Sequence, residues 1–219
     1  IFHSIIPQII RYNRDCILLV VSNPVDILTY VTLRLSGFPP QRVIGSGTVL
    51  DTSRLKFLLG AHFEVDPRNV HAFMIGEHGD TELPVYSSAN VSGIDFDHFC
   101  QSCDRSCDQE TLRRIYEEVK NSAYRVIENK GATYYAIALA VLRIVEALMR
   151  DEHSVLTVSV LPEGHYDLND LCIGLPAIVG RRGIERVLDV PLDEGEFGLL
   201  QKSAAQMKKV IGEIHWESD

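Results

Sequence analysis

The chain opens on apolar residues at helical spacing. Ile1, Ile5 and Ile9, with Phe2 and Ile6 beside them, predict a helix over residues 1–12. A continuous apolar run at 16–21 then predicts a central parallel strand, covered on both faces. Asn23-Pro24 ends that run, and residues 25–35 return to helical spacing, closed by Gly37 and stopped by Pro39-Pro40. Residues 42–45 read as a second short strand. This order is the tail of a doubly wound sheet, which places a ligand crevice at the strand carboxyl ends, near Ser22, Asn23 and Ser46.

From residue 48 the pattern changes. A strong helix is predicted at 50–63, a strand at 69–75 leading straight into Gly76, and another strand at 82–89. The polar stretch 95–108 reads as short helix and loop, and 110–150 as helix almost throughout, with Gly131 a break or kink. Residues 154–161 alternate as a strand. Gly164-His165-Tyr166 is a turn into a further strand, and 172–179 pairs with 184–188 as a hairpin. Pro191 and Asp193 introduce a last helix over 194–214. The fold class is α/β. The C-terminal part of a Rossmann-type parallel sheet, within a dinucleotide-binding domain over 1–47, is followed by an α+β substrate or catalytic domain over 48–219.

Composition narrows the function. The 219 residues are 46% hydrophobic and 23% charged, which is ordinary for a globular protein that buries a full core. The net charge of −9 argues against a nucleic-acid groove or an anionic membrane surface as partner, since both reward a positive patch. No apolar run reaches the length of a membrane span, and no secretory signal is present. The chain starts without Met, already inside an amphipathic pattern, so a fragment is expected. Five cysteines, an odd number, suggest a reducing compartment rather than a disulfide framework. Cys100, Cys103 and Cys107 are spaced like a metal motif, but only His98 stands near as a fourth ligand. Those spacings are also neighbours on one helix face, so solvent-side cysteines and no metal are expected.

The chemistry centres on Gly76-Glu-His-Gly-Asp80. A lone histidine is usually structural, but His78 stands in a polar, glycine-flanked turn at the end of an apolar strand, where sites form. Oxidation of a hydroxyl carbon needs a base near neutrality, because a proton leaves as hydride departs. Asp51 and Arg54 sit at i and i+3 on one helix face. One reading is a surface ion pair worth little. The other has Asp51 orienting the imidazole of His78, while Arg54 grips a substrate carboxylate through two parallel hydrogen bonds.

These motifs, with Asn23-Pro-Val-Asp26, Gly45-Ser-Gly-Thr48 and Lys130-Gly-Ala-Thr133, occur in the order and spacing of the L-lactate dehydrogenases, which the chain resembles from Ile1 to its last helix. The resemblance implies NAD as cofactor, pyruvate and L-lactate as substrates, a cytoplasmic place in fermentation at the end of glycolysis, and a homotetramer. It makes His78 the proton acceptor, Asp51 its partner and Arg54 the carboxylate binder. Asn23 would touch substrate and nicotinamide ribose, Thr133 would line the pocket, and Val21, Ser22, Ser46 and Ser4 would face the dinucleotide. A cis Asn23–Pro24 bond is expected. Glu77 and Gly131-Ala-Thr133 favour lactate over malate, and a branched 2-hydroxy acid dehydrogenase is the nearest alternative. Lys56 and His71 resemble the fructose 1,6-bisphosphate site of activated bacterial members, set across a subunit interface. A surface lysine and a strand-start histidine explain them equally well.

No Gly-x-Gly-x-x-Gly occurs, nor the acidic residue that comes after it on the next strand. The first part of the dinucleotide fold and the mobile substrate loop are therefore expected to be missing. On that expectation the isolated chain is inactive, and the competing reading is a non-catalytic, truncated oligomerising module with 16–21 as a hydrophobic edge.

Overall fold

The computed structural model describes residues 1–103, 107–214 and 216, so the 104–106 part of the predicted 95–108 segment and residues 217–219 lie outside it. Helix α1 (Phe2–Tyr12) packs on α2 (Val25–Ser36). Between them runs β1 (Leu18–Val20), paired in parallel with β2 (Val43–Gly45) so that Leu18 faces Val43 and Val20 faces Gly45. Helix α2 ends where Gly37 turns left-handed at φ 62°, as its sequence requires.

The sheet does not stop at β2. Gly45 pairs antiparallel with Ser159 of β6 (Ser154–Val160), which pairs with β7 (Ile173–Gly180), which turns back into β8 (Gly183–Val187). The order is β1-β2-β6-β7-β8, so β1 is an edge strand rather than the central strand its apolar run predicts. The segment at 164–166 opens a 3-10 turn, His165–Asp167, and the next strand waits until Ile173. A second, antiparallel sheet holds β3 (Val70–Ile75), β4 (Leu83–Val91) and β5 (Ile94–Asp95). A single bridge between Gly76 and Gly174 joins the two sheets.

The Gly45-Ser-Gly-Thr48 motif makes the joint close. A Cβ on Gly45 would lie 2.2 Å from Thr29 Oγ1, and one on Gly47 only 2.5 Å from the Ser159 amide nitrogen. Only glycine lets α2, β2 and β6 approach to this distance. Thr48 then donates its hydroxyl to the Met74 carbonyl at 2.6 Å, tying the start of α3 (Val49–Phe63) to β3.

Helix α3 lies between two cores. Val49 belongs to the main core of Ile44, Ile75, Leu175 and Leu200, while Leu55, Leu59 and Phe63 join Val70, Met74 and Ile115 in a second. A helix gripped on two sides holds its remaining side chains in fixed directions. The predicted long helix is two: α5 (Gln109–Lys130) is capped by Gly131 at φ 79°, and α6 (Tyr135–Arg150) starts four residues later. The last helix, α7 (Glu194–Gly212), opens with a capping box between Asp193 and Glu196.

The cysteines do not face solvent as expected. Cys100 in α4 (Phe96–Ser102) is disulfide-bonded to Cys107, and Cys100, Cys103 and Cys107 pack against the second core. The chain leaves the helix after Ser102, so helical spacing no longer governs where Cys107 falls.

Candidate active site

Two elements deliver the site. Strand β3 ends at Ile75, and the chain turns through Gly76 at φ 93° to present His78. The turn is anchored from behind. The Glu77 amide donates to Ser203 Oγ of α7 at 2.9 Å, Thr81 shares a 2.9 Å hydrogen bond with the same hydroxyl, and the Thr81 hydroxyl donates to the Glu77 carboxylate. The backbone N–H of His78 donates to Asp26 Oδ2 of α2 at 2.8 Å. The imidazole is thereby fixed from two directions before its side chain makes any contact.

The first turn of α3 supplies Asp51, whose side chain is 3% exposed. Its Oδ2 lies 2.6 Å from His78 Nδ1 and its Oδ1 accepts from the Arg54 guanidinium at 3.2 Å. Asp51 therefore pairs with Arg54 and meets the His78 imidazole at once. One carboxylate has two oxygens, and each oxygen takes one partner. Arg54 retains further N–H groups beyond the one spent on Asp51, and these can fork onto a second carboxylate.

Charge sets the protonation state. Burial alone would push the His78 imidazolium down, but the hydrogen bond and charge of Asp51 raise its pKa to about 9. The base near neutrality expected from the sequence is thus a stronger base in the absence of substrate. At pH 7 it is held protonated, in the form that gives a proton away. Asp26 is pushed up to about 6 by its own burial, against the lowering influence of Ser159 and the His78 amide.

Other predicted residues fall elsewhere. Asn23 is exposed at the carboxyl end of β1, and its bond to Pro24 is cis. Val21 and Ser22 line an apolar cleft of about 180 Å³ between α1 and β1. Ser46 is buried, and its amide donates to the Val20 carbonyl at 2.9 Å. The Ser4 hydroxyl turns back to the Ile1 carbonyl at 2.7 Å. Thr133 stands in the break between α5 and α6, with no hydrogen bond to the His78 cluster. Lys56 and His71 line one cleft of about 340 Å³ with Arg143, and burial lowers the pKa of the Lys56 ammonium.

Sequence reasoning assigned no role to Asp26 or Glu82. Asp26 carried a usable signal, an acidic residue in the first turn of an otherwise apolar helix. Glu82 carried little, since a carboxylate four residues after His78 at a strand start ordinarily points to solvent.

With this geometry in place, comparison with known proteins becomes decisive. Residues 48–217 match the model of the lactate/malate dehydrogenase alpha/beta C-terminal domain, and residues 1–45 match that of the lactate/malate dehydrogenase NAD binding domain. The chain belongs to the lactate/malate dehydrogenase family. Among curated members, the L-lactate dehydrogenase of Acetivibrio thermocellus is 58% identical over 211 residues, covering 96% of this chain and 67% of its own length. L-lactate dehydrogenase 1 of Clostridium acetobutylicum is 54% identical over 214 residues, covering 98% and 68%. Among solved family structures, a lactate dehydrogenase from a Medee basin deep-sea metagenome library superposes with a TM-score of 0.93 at 40% identity, covering 96% of this chain and 67% of that one. The minor L-lactate dehydrogenase from Enterococcus mundtii gives 0.94 at 36%, covering 99% and 68%.

The family matches correct two expectations. The reading of the chain as a fragment lacking the front of its NAD-binding domain gives way, because the models of both family domains match along it. The fold class changes with it. The NAD-binding domain is represented as such over residues 1–45, rather than as a leftover edge, and its strands continue directly into the sheet of the catalytic domain. The non-catalytic reading gives way to that of a lactate/malate dehydrogenase family enzyme.

Proposed function

We propose that His78, Asp51 and Arg54 carry out the reduction of pyruvate to L-lactate and its reverse. The chain is an NAD-dependent 2-hydroxy acid oxidoreductase of the L-lactate dehydrogenase kind. One observation supports the assignment of roles above the others: a single buried carboxylate holds both the proton carrier and the carboxylate clamp.

Arg54 takes the carboxylate of the 2-oxo acid, so the carbonyl lies toward His78. Bound NADH supplies the hydride. The His78 imidazolium gives its proton to the carbonyl oxygen as the alcohol forms, and Asp51 stabilises the imidazolium that precedes it. In the reverse direction neutral His78 takes the hydroxyl proton. Val21, Ser22, Asn23, Ser46 and Ser4 face the dinucleotide, and Thr133 closes the substrate side. The dinucleotide-binding unit is assigned to 1–47 and the catalytic unit to 48–219. Loss of NADH absorbance on adding pyruvate tests the function. Faster turnover of oxaloacetate or of a branched 2-oxo acid would overturn the substrate assignment.

Among the described residues no helix is long and apolar enough to cross a membrane. A cytoplasmic enzyme working on the cell's nicotinamide pool accords with that, and fractionation of the source cells checks it. The assembly we assign is a homotetramer. Leu139, Leu142 and Met149 on α6 are exposed apolar side chains that await a partner surface. The Lys56–His71 cleft would take a phosphate of fructose 1,6-bisphosphate across that interface. The bisphosphate is then expected to lower the half-saturation for pyruvate and to shift sedimentation to four chain masses, both effects disappearing in Lys56→Ala. An unchanged half-saturation, or a monomer in its presence, would sink the idea.

A further inference from the structure

The Glu82 carboxyl is a buried acid with no part in the steps above. The residue is 4% exposed, and its Oε2 lies 4.0 Å from His78 Nδ1. Asp51, His78 and Glu82 each offer an atom within 4.8 Å of the others. The titratable groups around Glu82 come from three directions: Asp51 and Arg54 from α3, His78 from the turn and Tyr116 from α5. None of them neutralises it well. Among the described residues, no amide, hydroxyl or guanidinium donates to the Glu82 side chain. The Tyr116 hydroxyl donates to its backbone carbonyl instead, at 2.7 Å. Asp51, by contrast, has a donor on each oxygen.

Two carboxylates this close in a site shielded from water do not both ionise, and the proton settles on the one with fewer donors. That one is Glu82. We propose that Glu82 is a positioning residue, a neutral carboxylic acid that donates a hydrogen bond to Asp51 and draws off part of the charge Asp51 presents to His78. The inference rests on the reading of His78 as the proton carrier. Its physical consequence is balance. An undiluted Asp51 would hold the imidazolium so firmly that the proton left it slowly, and a neutral donor on Asp51 loosens that hold. Burial first, and the Asp51 charge second, push the Glu82 pKa up to about 9, so the acid keeps its proton through the neutral range.

Two variants of the purified protein test it, Glu82→Gln and Glu82→Leu. Glutamine is a neutral donor of nearly the same shape, whereas leucine is not a donor at all. The wild type is expected to show an infrared carboxylic-acid band at pH 7 that Glu82→Gln lacks. In an NMR titration of the His78 ring, Glu82→Gln keeps the wild-type midpoint. Glu82→Leu raises it by about one unit, because Asp51 regains its full charge. Absence of the band, a lowered midpoint in Glu82→Gln, or no rise in Glu82→Leu overturns the proposal. If Glu82→Leu does not fold, the band and the glutamine variant decide alone. Neither readout needs turnover, so they report on Glu82 even where the assignment of His78 as proton carrier fails by its own test.

Discussion

Replacing His78 by alanine is expected to slow pyruvate reduction by about 10²- to 10⁴-fold, the range a positioned general acid contributes. Among His78, Asp51 and Arg54, only the imidazolium has a proton to give to the carbonyl oxygen. Asp51 is committed as an acceptor to two partners, and a guanidinium has no acidic proton to offer. The variant should still fold. The turn is held by backbone bonds to Asp26 and Ser203, and Asp51 retains Arg54. The pH profile gives an independent check. With the imidazolium pKa near 9, reduction of pyruvate declines as pH rises through that value and oxidation of lactate gains over the same interval. A turnover number for His78→Ala within a few-fold of the wild type would remove the imidazole from the mechanism.

The second large effect is expected at Arg54. A lysine there keeps the positive charge but cannot form two parallel bonds to a carboxylate. Losing one charge-assisted bond in a partly buried site costs about 2–3 kcal/mol, or roughly 30- to 150-fold. Most of this should appear in the KM for pyruvate, because the clamp acts on bound substrate and transition state alike. A smaller fall in kcat is expected as well, since Asp51 Oδ1 loses the partner that fixes its angle toward His78. Measuring both constants separates the two roles. An unchanged KM would show that substrate carboxylate is held elsewhere.

Helix α3 shows what the sequence made legible. Its apolar residues and its polar pair at 51 and 54 were both visible, because helical geometry fixes which side chains share a face. The turn at His78 was legible for a similar reason: an apolar strand running into glycine leaves the next residues few directions to take. The shared sheet was not. Pairing of Gly45 with Ser159 is a long-range register with no local signature, and a short run such as Leu18–Val20 looks the same at an edge as at a centre. Glu82 stayed hidden because burial is a property of the assembled neighbours. The Cys100–Cys107 pair was misread because helical spacing was applied past the end of its helix.

The joint between β2 and β6 also bears on how the chain is made. Residue 45 cannot find its partner until residue 159 has been synthesised, more than a hundred residues later. At translation rates of about 5–20 residues per second, that is a wait of roughly 6 to 23 seconds. Through that interval β1 pairs with one side of β2, and the side that Ser159 will cover stays bare. A chaperone that shields such an edge at the ribosome would therefore raise the yield of native protein.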